Sequence, residues 1–346
     1  MNSIVINNKK IALDFFLNSE NVKKNLTDEE LYARKFIKLW LSGADFFEFH
    51  TSGSTGSPKK IRHTRKKLEY SAKSTLAHLE INEGGSMLLP LSPKFIGGAM
   101  VIVRAMVGNH NLSIIRPDHE FKEIKDHFAL TSFVPLQIRK IVQQNPRLLE
   151  HFDHILIGGA PLDRETEQKL LELHSKSAIY ATFGMTETAS HIALRPIGEE
   201  AFTVLGDVRV KKDQRGCLAV RGTVTDHEWI HTNDLVEIHS SNRFLWKGRA
   251  DLVINSAGFK INPEKVESVM RTFFPDKNII VTGKANQDFG EKVICLIEGE
   301  EERIPENFPL LHPYEVPKEY FFLPEFIYTH SGKIDRIKTK KLLLRS

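Results

Sequence analysis

Cysteine is nearly missing from this 346-residue chain. The two present, Cys217 and Cys295, sit in apolar or strand-like surroundings without a CxxC partner, which excludes a disulfide framework and a cysteine zinc site and fits a reducing compartment. Long hydrophobic runs are lacking too: no stretch approaches the roughly 18 apolar residues needed to span a bilayer. Nor does a basic region followed by an apolar one stand at the N-terminus, so no membrane insertion is expected and the cytoplasm is the expected location. Charge of one sign is scarce, the formal net charge being +4. The basic cluster Lys59, Lys60, Arg62, Arg65, Lys66 and Lys67 has no interleaved aromatics on which bases would stack, so nucleic acid is not an expected partner. Small anionic molecules suit it better, although Arg65 to Lys67 read equally well as a solvated helix face. Repeats and low-complexity tracts are absent. What is there, 41% hydrophobic and 27% charged residues, is an ordinary globular composition with room for two domains and a large core.

The densest chemistry lies in Thr51-Ser52-Gly53-Ser54-Thr55-Gly56-Ser57-Pro58-Lys59, which follows an apolar run, Phe46 to His50, that reads as a strand and precedes a second short strand at Lys60 to His63. Backbone N–H groups freed by Gly53 and Gly56, with four hydroxyls from Thr51, Ser52, Ser54 and Thr55, can ring a polyphosphate whose charge Lys59 offsets. The spacing is not that of the Walker A loop. Alone, such a loop is also an ordinary flexible turn.

Around it the chain has a rhythm. Thr27-Asp28-Glu29-Glu30 is a capping box that opens a helix to about Leu41, and a second helix runs from about Thr64 to Leu79. Short strands at Met87 to Leu91, Leu112 to Ile115, Thr131 to Val134, Ile155 to Ile157 and Ala178 to Ala181 alternate with helical segments. Those segments are Gly97 to Val107, Glu120 to Phe128, Leu136 to Gln144 and Asp163 to His174, and the alternation predicts parallel βαβ units with ligands at the carboxyl ends of the strands. From about His191 to Trp246 only short alternating segments occur, which predicts a small β subdomain. Beyond Gly248 come a strand at Leu252 to Ile254, a capped helix opened by Asn262-Pro263-Glu264, and strands at Asn278 to Val281 and Val293 to Leu296. The expected fold class is therefore α/β: a large domain over 1–250 with a mostly parallel sheet and a small β subdomain, then a small mobile α+β domain over 251–346.

Two strand ends carry further chemistry. Gly158-Gly159-Ala160-Pro161 follows one strand and offers bare backbone against which a flat ring could lie. Phe183-Gly184-Met185-Thr186-Glu187 follows the next and sets a hydroxyl beside a carboxylate; near a polyphosphate such a carboxylate holds Mg²⁺, and without one it is a surface residue. Asp234, in Thr232-Asn233-Asp234, would accept from paired ribose hydroxyls, or simply sit in a turn.

Taken with Trp246-Lys247-Gly248-Arg249-Ala250-Asp251, Gly258-Phe259-Lys260 and Ser331-Gly332-Lys333-Ile334-Asp335-Arg336, these motifs resemble, in their order, the acyl-adenylate-forming superfamily of AMP-dependent acyl-CoA synthetases, peptide-synthetase adenylation domains and luciferases. The resemblance runs from Thr51 to Arg336. It implies ATP-dependent activation of a carboxylic acid to acyl-AMP, followed by transfer to CoA, with Mg²⁺ as cofactor and ATP and CoA as co-substrates. By that resemblance Thr51 to Lys59 hold the ATP phosphates, Gly158, Gly159, Ala160 and Pro161 flank adenine, and Thr186 meets the AMP phosphate. Glu187 holds the metal, Asp234 and Arg249 the ribose, and Gly258, Phe259 and Lys260 meet the pantetheine arm. Asp251 is the hinge and Lys333 the catalytic lysine. Phe183 and Asn233 depart from the family's usual tyrosine and glycine, and the segment before the phosphate loop is unusually short.

That compact front end is similar to the o-succinylbenzoate–CoA ligases of menaquinone biosynthesis. For a substrate with two carboxylates, Arg104 on a half-buried helix is the candidate to pair the unreacting one, though such an arginine equally well snorkels to solvent or caps a carbonyl; Phe95 would be an aromatic wall, and His191 would line the pocket or, more simply, be a strand residue. The alternatives are another aryl or fatty acid, a carrier-protein acceptor in place of CoA, and a catalytically silent nucleotide-binding protein. Retention of Lys333 speaks against the last. The sequence leaves the oligomeric state open, a homodimer included.

Overall fold

The computed structural model describes residues 1–6, 9–50, 59–117, 121, 124–275, 277–288, 290–329 and 334–344. The chain opens with β1 (Ser3–Ile6) and β2 (Lys9–Ala12), then α1 (Leu13–Asn18), α2 (Glu20–Lys24) and α3 (Asp28–Leu41). The capping box is present: the Thr27 side chain accepts from the Glu30 N–H, and the Glu30 carboxylate accepts from the Thr27 N–H at 2.7 Å. A hairpin of β3 (Phe46–His50) and β4 (Lys60–Thr64) leads into α4 (Arg65–His78).

The βαβ rhythm follows as β5 (Ser86–Leu89), α5 (Ile96–Val107), β6 (Asn111–Ile114), β7 (Phe128–Phe133), α6 (Pro135–Gln144), β8 (Phe152–Ile157), α7 (Arg164–Glu172) and β9 (Ala178–Met185). Strands β1, β6, β5, β7, β8 and β9 are parallel neighbours in that order. Successive residues of a strand face opposite sides of its sheet. Met87 and Leu89 accordingly join the core beneath α4 and α5, while Leu88 joins the one beneath α6 and α7. Both faces are thus covered, which is why these strands read as continuous apolar runs.

The expected β subdomain is present as β10 (Ser190–Pro196), β11 (Ala201–Val204), β12 (Arg209–Lys212), β13 (Cys217–Arg221), β14 (Ile230–Ser240) and β15 (Arg243–Arg249). Its strands are antiparallel and join the parallel half edge to edge through β9 and β10, completing one 13-stranded sheet. A second sheet contains β16 (Ile254–Ser256), β17 (Phe259–Ile261), β18 (Ile279–Asn286), β19 (Gly290–Glu298) and β20 (Glu319–Leu323). Helix α8 (Pro263–Phe273) buries Val266 and Met270 against Ile279, Val281 and Cys295, and α9 (Arg336–Lys341) ends the described chain with a short 3₁₀ turn. Asn262 caps α8 as expected.

One expected helix is not found. Of residues 120–128, those described are not helical: Phe121 has φ +56° and packs edge-on against Phe133, and Phe128 already pairs with Phe152. Aromatic burial and strand pairing overrode the local helical pattern.

Candidate active site

Because β5, β7, β8 and β9 are parallel, their carboxyl ends share one edge, where open α/β sheets bind ligands. Gly158 continues β8, its N–H bonded to the Phe133 carbonyl at 3.0 Å; a Cβ there would lie 2.3 Å from the Thr182 hydroxyl of β9. Gly159 takes φ +90°, and Gly159, Ala160 and Pro161 are exposed, so the backbone forms a bare ledge. Next to it, β9 ends in a 3₁₀ turn over Thr186–Thr188, locked by the Thr188 hydroxyl donating to the Ser190 carbonyl at 2.8 Å. Thr186 and Glu187 are half-buried, and Glu187 has no ion pair among the described residues.

Thr51, Ser52, Gly53, Ser54, Thr55 and Gly56 lie outside the described residues, as does Lys333. The β3–β4 ladder runs from Phe46↔Thr64 to His50↔Lys60, so the segment between His50 and Lys59 starts and finishes at one hairpin end. Much of the basic cluster serves the fold instead of a ligand. Lys60 pairs with Glu48 at 2.8 Å, Lys67 with Asp226 at 2.6 Å, Arg62 covers the Phe46 ring, and Arg65 donates to the Ala44 and Trp40 carbonyls at the end of α3. Farther along β4, the buried His63 reaches the Thr186 carbonyl with Nε2 at 2.6 Å. Sequence reasoning missed this contact; His63 stood out only as the last residue of a strand.

Helix α5, expected to be half-buried, is covered from Gly98 to Ala105, which leaves Arg104 only 2% exposed. Its guanidinium donates to the Ser190 hydroxyl at 3.2 Å and to His191 Nδ1 at 3.4 Å, while Nε has no partner among the described residues. His191 Nε2 in turn donates to the Thr75 hydroxyl at 2.9 Å, which donates to the Ser71 carbonyl at 3.0 Å. That chain of donors fixes a neutral imidazole. Burial first, then the charges of Arg104 and His78, pushes the His191 pKa well below its ordinary value. Burial also draws Arg104 down from 12.5 to about 9, which leaves it charged near neutrality, and no carboxylate of the described residues pairs with it. Arg104 and His191, both named as candidates for the acid pocket, are thus in direct contact. Phe95 does not join them: it caps the other end of α5, about 13 Å away along the axis at the helical rise per residue.

Asp234 and Arg249 are directly opposed in the β14–β15 pair. Asp234 Oδ1 already accepts from the Trp246 indole at 3.0 Å, and Arg249 makes a two-pronged pair with Asp251 at 2.9 and 2.7 Å. The hydrogen bonds to Asp251 raise the Arg249 pKa. Asn233, where the family has glycine, reaches Asp251 at 3.4 Å and accepts from Arg215 at 3.1 Å, so it braces the site instead of loosening it. Just beyond, Ala257 and Gly258 form the two-residue turn of the β16–β17 hairpin with φ +50° and +82°, the left-handed pair a tight hairpin favours. Phe259 is 48% exposed and stacks on Tyr314 at 4.1 Å; Lys260 is exposed. Either side of residues 330–333, Tyr328 bridges to Ile334, and Arg336 binds the buried Glu267 of α8.

A family model described as AMP-binding enzyme matches residues 17–215. The 2-succinylbenzoate–CoA ligase of Haemophilus influenzae is 26% identical over 78% of this chain and 64% of its own, so this chain spans slightly under two thirds of that relative. The corresponding ligase of Listeria innocua is 25% identical over 96% of this chain and 78% of its own. Among solved structures, an acyl-CoA synthetase (AMP-forming)/AMP-acid ligase II-like protein of Dyadobacter fermentans is 31% identical with a TM-score of 0.61, covering 94% of this chain and 98% of that one. The O-succinylbenzoate–CoA synthetase of Bacillus subtilis, in complex with ATP and magnesium, shares the fold at 21% identity and a TM-score of 0.73, over 85% and 69% of the two chains. With more than half of its residues matched, and a solved relative aligned along nearly its whole length, the chain belongs to the AMP-binding enzyme family.

Proposed function

We propose that the protein is an acid–thiol ligase that activates o-succinylbenzoate with ATP and passes the acyl group to CoA, a step of menaquinone biosynthesis. The observation that carries the choice of acid is Arg104: a buried guanidinium with an unpartnered Nε and no carboxylate beside it among the described residues. Taking such a charge out of water is costly unless it is paired. A dicarboxylate offers one carboxylate to Arg104 and the other to ATP, whereas a monocarboxylate leaves Arg104 uncompensated. The names of the two curated relatives support the same acid.

In the first half-reaction a carboxylate oxygen attacks the α-phosphorus and pyrophosphate leaves. In the second, the CoA thiolate attacks the acyl carbon and AMP leaves. Neither step needs a covalent enzyme intermediate, so the side chains position groups and stabilise charge. The Gly158–Pro161 ledge would lie against adenine and Thr186 would donate to the AMP phosphate. Asp234 retains an oxygen for the ribose, while Arg249 must exchange part of its bond to Asp251 to share that task. Thr51 to Lys59 would hold the phosphates, Lys333 would stabilise the in-line transition state, and Gly258, Phe259 and Lys260 would receive the pantetheine arm.

Glu187 fits Mg²⁺, which takes one or two carboxylates and fills its other positions with phosphate oxygens and water. Its half-buried carboxylate has no ion pair among the described residues to compete. Bound there, the metal would neutralise charge on the phosphates. Residues 1–250 and 251–346 would act as two bodies turning about Asp251, so that Lys333 serves the first step and the Gly258 turn the second. The cytoplasm is the proposed setting.

The test is incubation with Mg-ATP, CoA and a panel of o-succinylbenzoate, benzoate, a coumarate-like acid and a medium-chain fatty acid, reading AMP and thioester by mass. A thioester from o-succinylbenzoate alone is expected. AMP with another acid would overturn the substrate, adenylate without thioester the acceptor, and no AMP at all the enzymatic reading.

A further inference from the structure

The strands that carry the phosphate-binding stretch form a sheet of their own: β3 and β4 pair only with each other, while the Thr186–Glu187 turn ends a strand of the 13-stranded sheet. Among the described residues no ladder hydrogen bond therefore sets the distance between the two. One contact that crosses is His63 Nε2 to the Thr186 carbonyl, 2.6 Å, between residues 123 apart in sequence. A carbonyl only accepts, so Nε2 carries the proton and Nδ1 is bare; that Nδ1 is buried and has no partner among the described residues. His63 itself is 2% exposed, its ring tilted against Phe49 of β3. A side chain kept for packing alone would not need a buried nitrogen left unsatisfied, which costs free energy. The same Thr186 carbonyl also accepts the Ala189 N–H at 3.1 Å, and Ala189, at φ +60° and fully buried, closes the turn that presents Glu187.

We infer that His63 is a positioning residue that ties the phosphate-binding hairpin to the Thr186–Glu187 turn, setting the site for the metal-bound nucleotide. The inference rests on the adenylation reading above. It acts through the backbone of Thr186, not by touching substrate, and it requires a proton on Nε2. Burial lowers the His63 pKa, against the opposing effect of the bond to Thr186; the charges around it are Lys67, Asp226 and Glu187.

The test compares His63→Gln, whose amide nitrogen can reach the place of Nε2, with His63→Asn, whose shorter side chain cannot, and with His63→Leu. Calorimetry with a non-hydrolysable ATP analogue, with and without Mg²⁺, supplies a readout independent of turnover. His63→Asn and His63→Leu should weaken the Mg²⁺-dependent part of binding by about 10- to 100-fold, the usual cost of losing a group that orients a metal's ligands, while metal-free nucleotide binding stays near wild type. His63→Gln should restore most of it. Equal affinity in wild type and all three variants, or an equal loss in all three with and without Mg²⁺, overturns the positioning role alone. Should His63→Leu not fold, the Gln and Asn pair decides by the same criteria. A wild-type protein that binds no analogue overturns the adenylation reading, and this role with it.

Discussion

A guanidinium taken out of water without a counter-ion costs several kcal/mol, and Arg104 is 2% exposed with no carboxylate of the described residues beside it. On the proposed reading the substrate supplies that partner. A hydrogen bond to a charged group contributes about 1.5–3 kcal/mol, so Arg104→Met, which keeps the stem, should raise KM for o-succinylbenzoate about 10- to 150-fold. KM for a monocarboxylate analogue should stay within about 3-fold on the same argument, and steady-state kinetics with both acids checks it. Equal effects would make Arg104 structural. The type and place of Arg104 were legible in the sequence, but its burial was not. Seen alone, an arginine at the end of a helix snorkels to solvent; here α5 is covered by α3, α4 and the large sheet, β10 included, which no local pattern records. The same holds for His63, whose partner is 123 residues away.

Elements were the most readable level, wherever their ends carry their own signals. Thr27 and Glu30 mark the start of α3, and Asn262 and Pro263 that of α8, because caps are satisfied within four residues. The helix expected over 120–128 failed where Phe121, at φ +56°, packs on Phe133 of β7 and Phe128 enters β7 itself. Likewise, the strands β10, β13 and β14 after His191 were readable in part, but not β11, β12 and β15, nor the subdomain's place as the continuation of the parallel sheet, since pairing order is a property of the assembled sheet. At α5 the sequence showed a glycine pair, and the fold gives the second glycine a reason. A Cβ on Gly98 would lie 2.2 Å from the Ser92 carbonyl oxygen. Gly98→Ala should therefore shift the turn before α5 and destabilise the protein by about 1–3 kcal/mol, read from the urea midpoint. An unchanged midpoint would mean the turn relaxes without cost.

For the molecule as a whole, the join between the two sheets matters most. Glu264 of α8 accepts the Arg249 N–H at 3.0 Å, and the Asn262 side chain donates to the Lys247 carbonyl, so the first turn of α8 grips the end of β15. Burial first, then the neighbouring Glu267, raises Glu264 from 4.5 to about 7, against the opposing charges of Arg336 and Arg249. Between those two values the folded protein keeps a proton that the unfolded chain has released, so stability falls as pH rises through that window and levels off above it. Relative to Glu264→Gln, which cannot ionise, the thermal midpoint of the wild type should decline as the pH is raised through that window. Parallel midpoint curves would contradict a raised Glu264.

The central claim is that this compact chain makes an acyl-adenylate, and the most direct measurement is ATP–pyrophosphate exchange with o-succinylbenzoate, without CoA, in wild type and Lys333→Ala. Acid-dependent exchange is expected in the wild type. In the variant it should fall nearly to background while ATP binding persists, since a group acting mainly in the transition state contributes little to ground-state binding. Exchange that Lys333→Ala leaves unchanged would remove that lysine from the mechanism, and a wild type with no exchange in the presence of the acid would contradict the account itself.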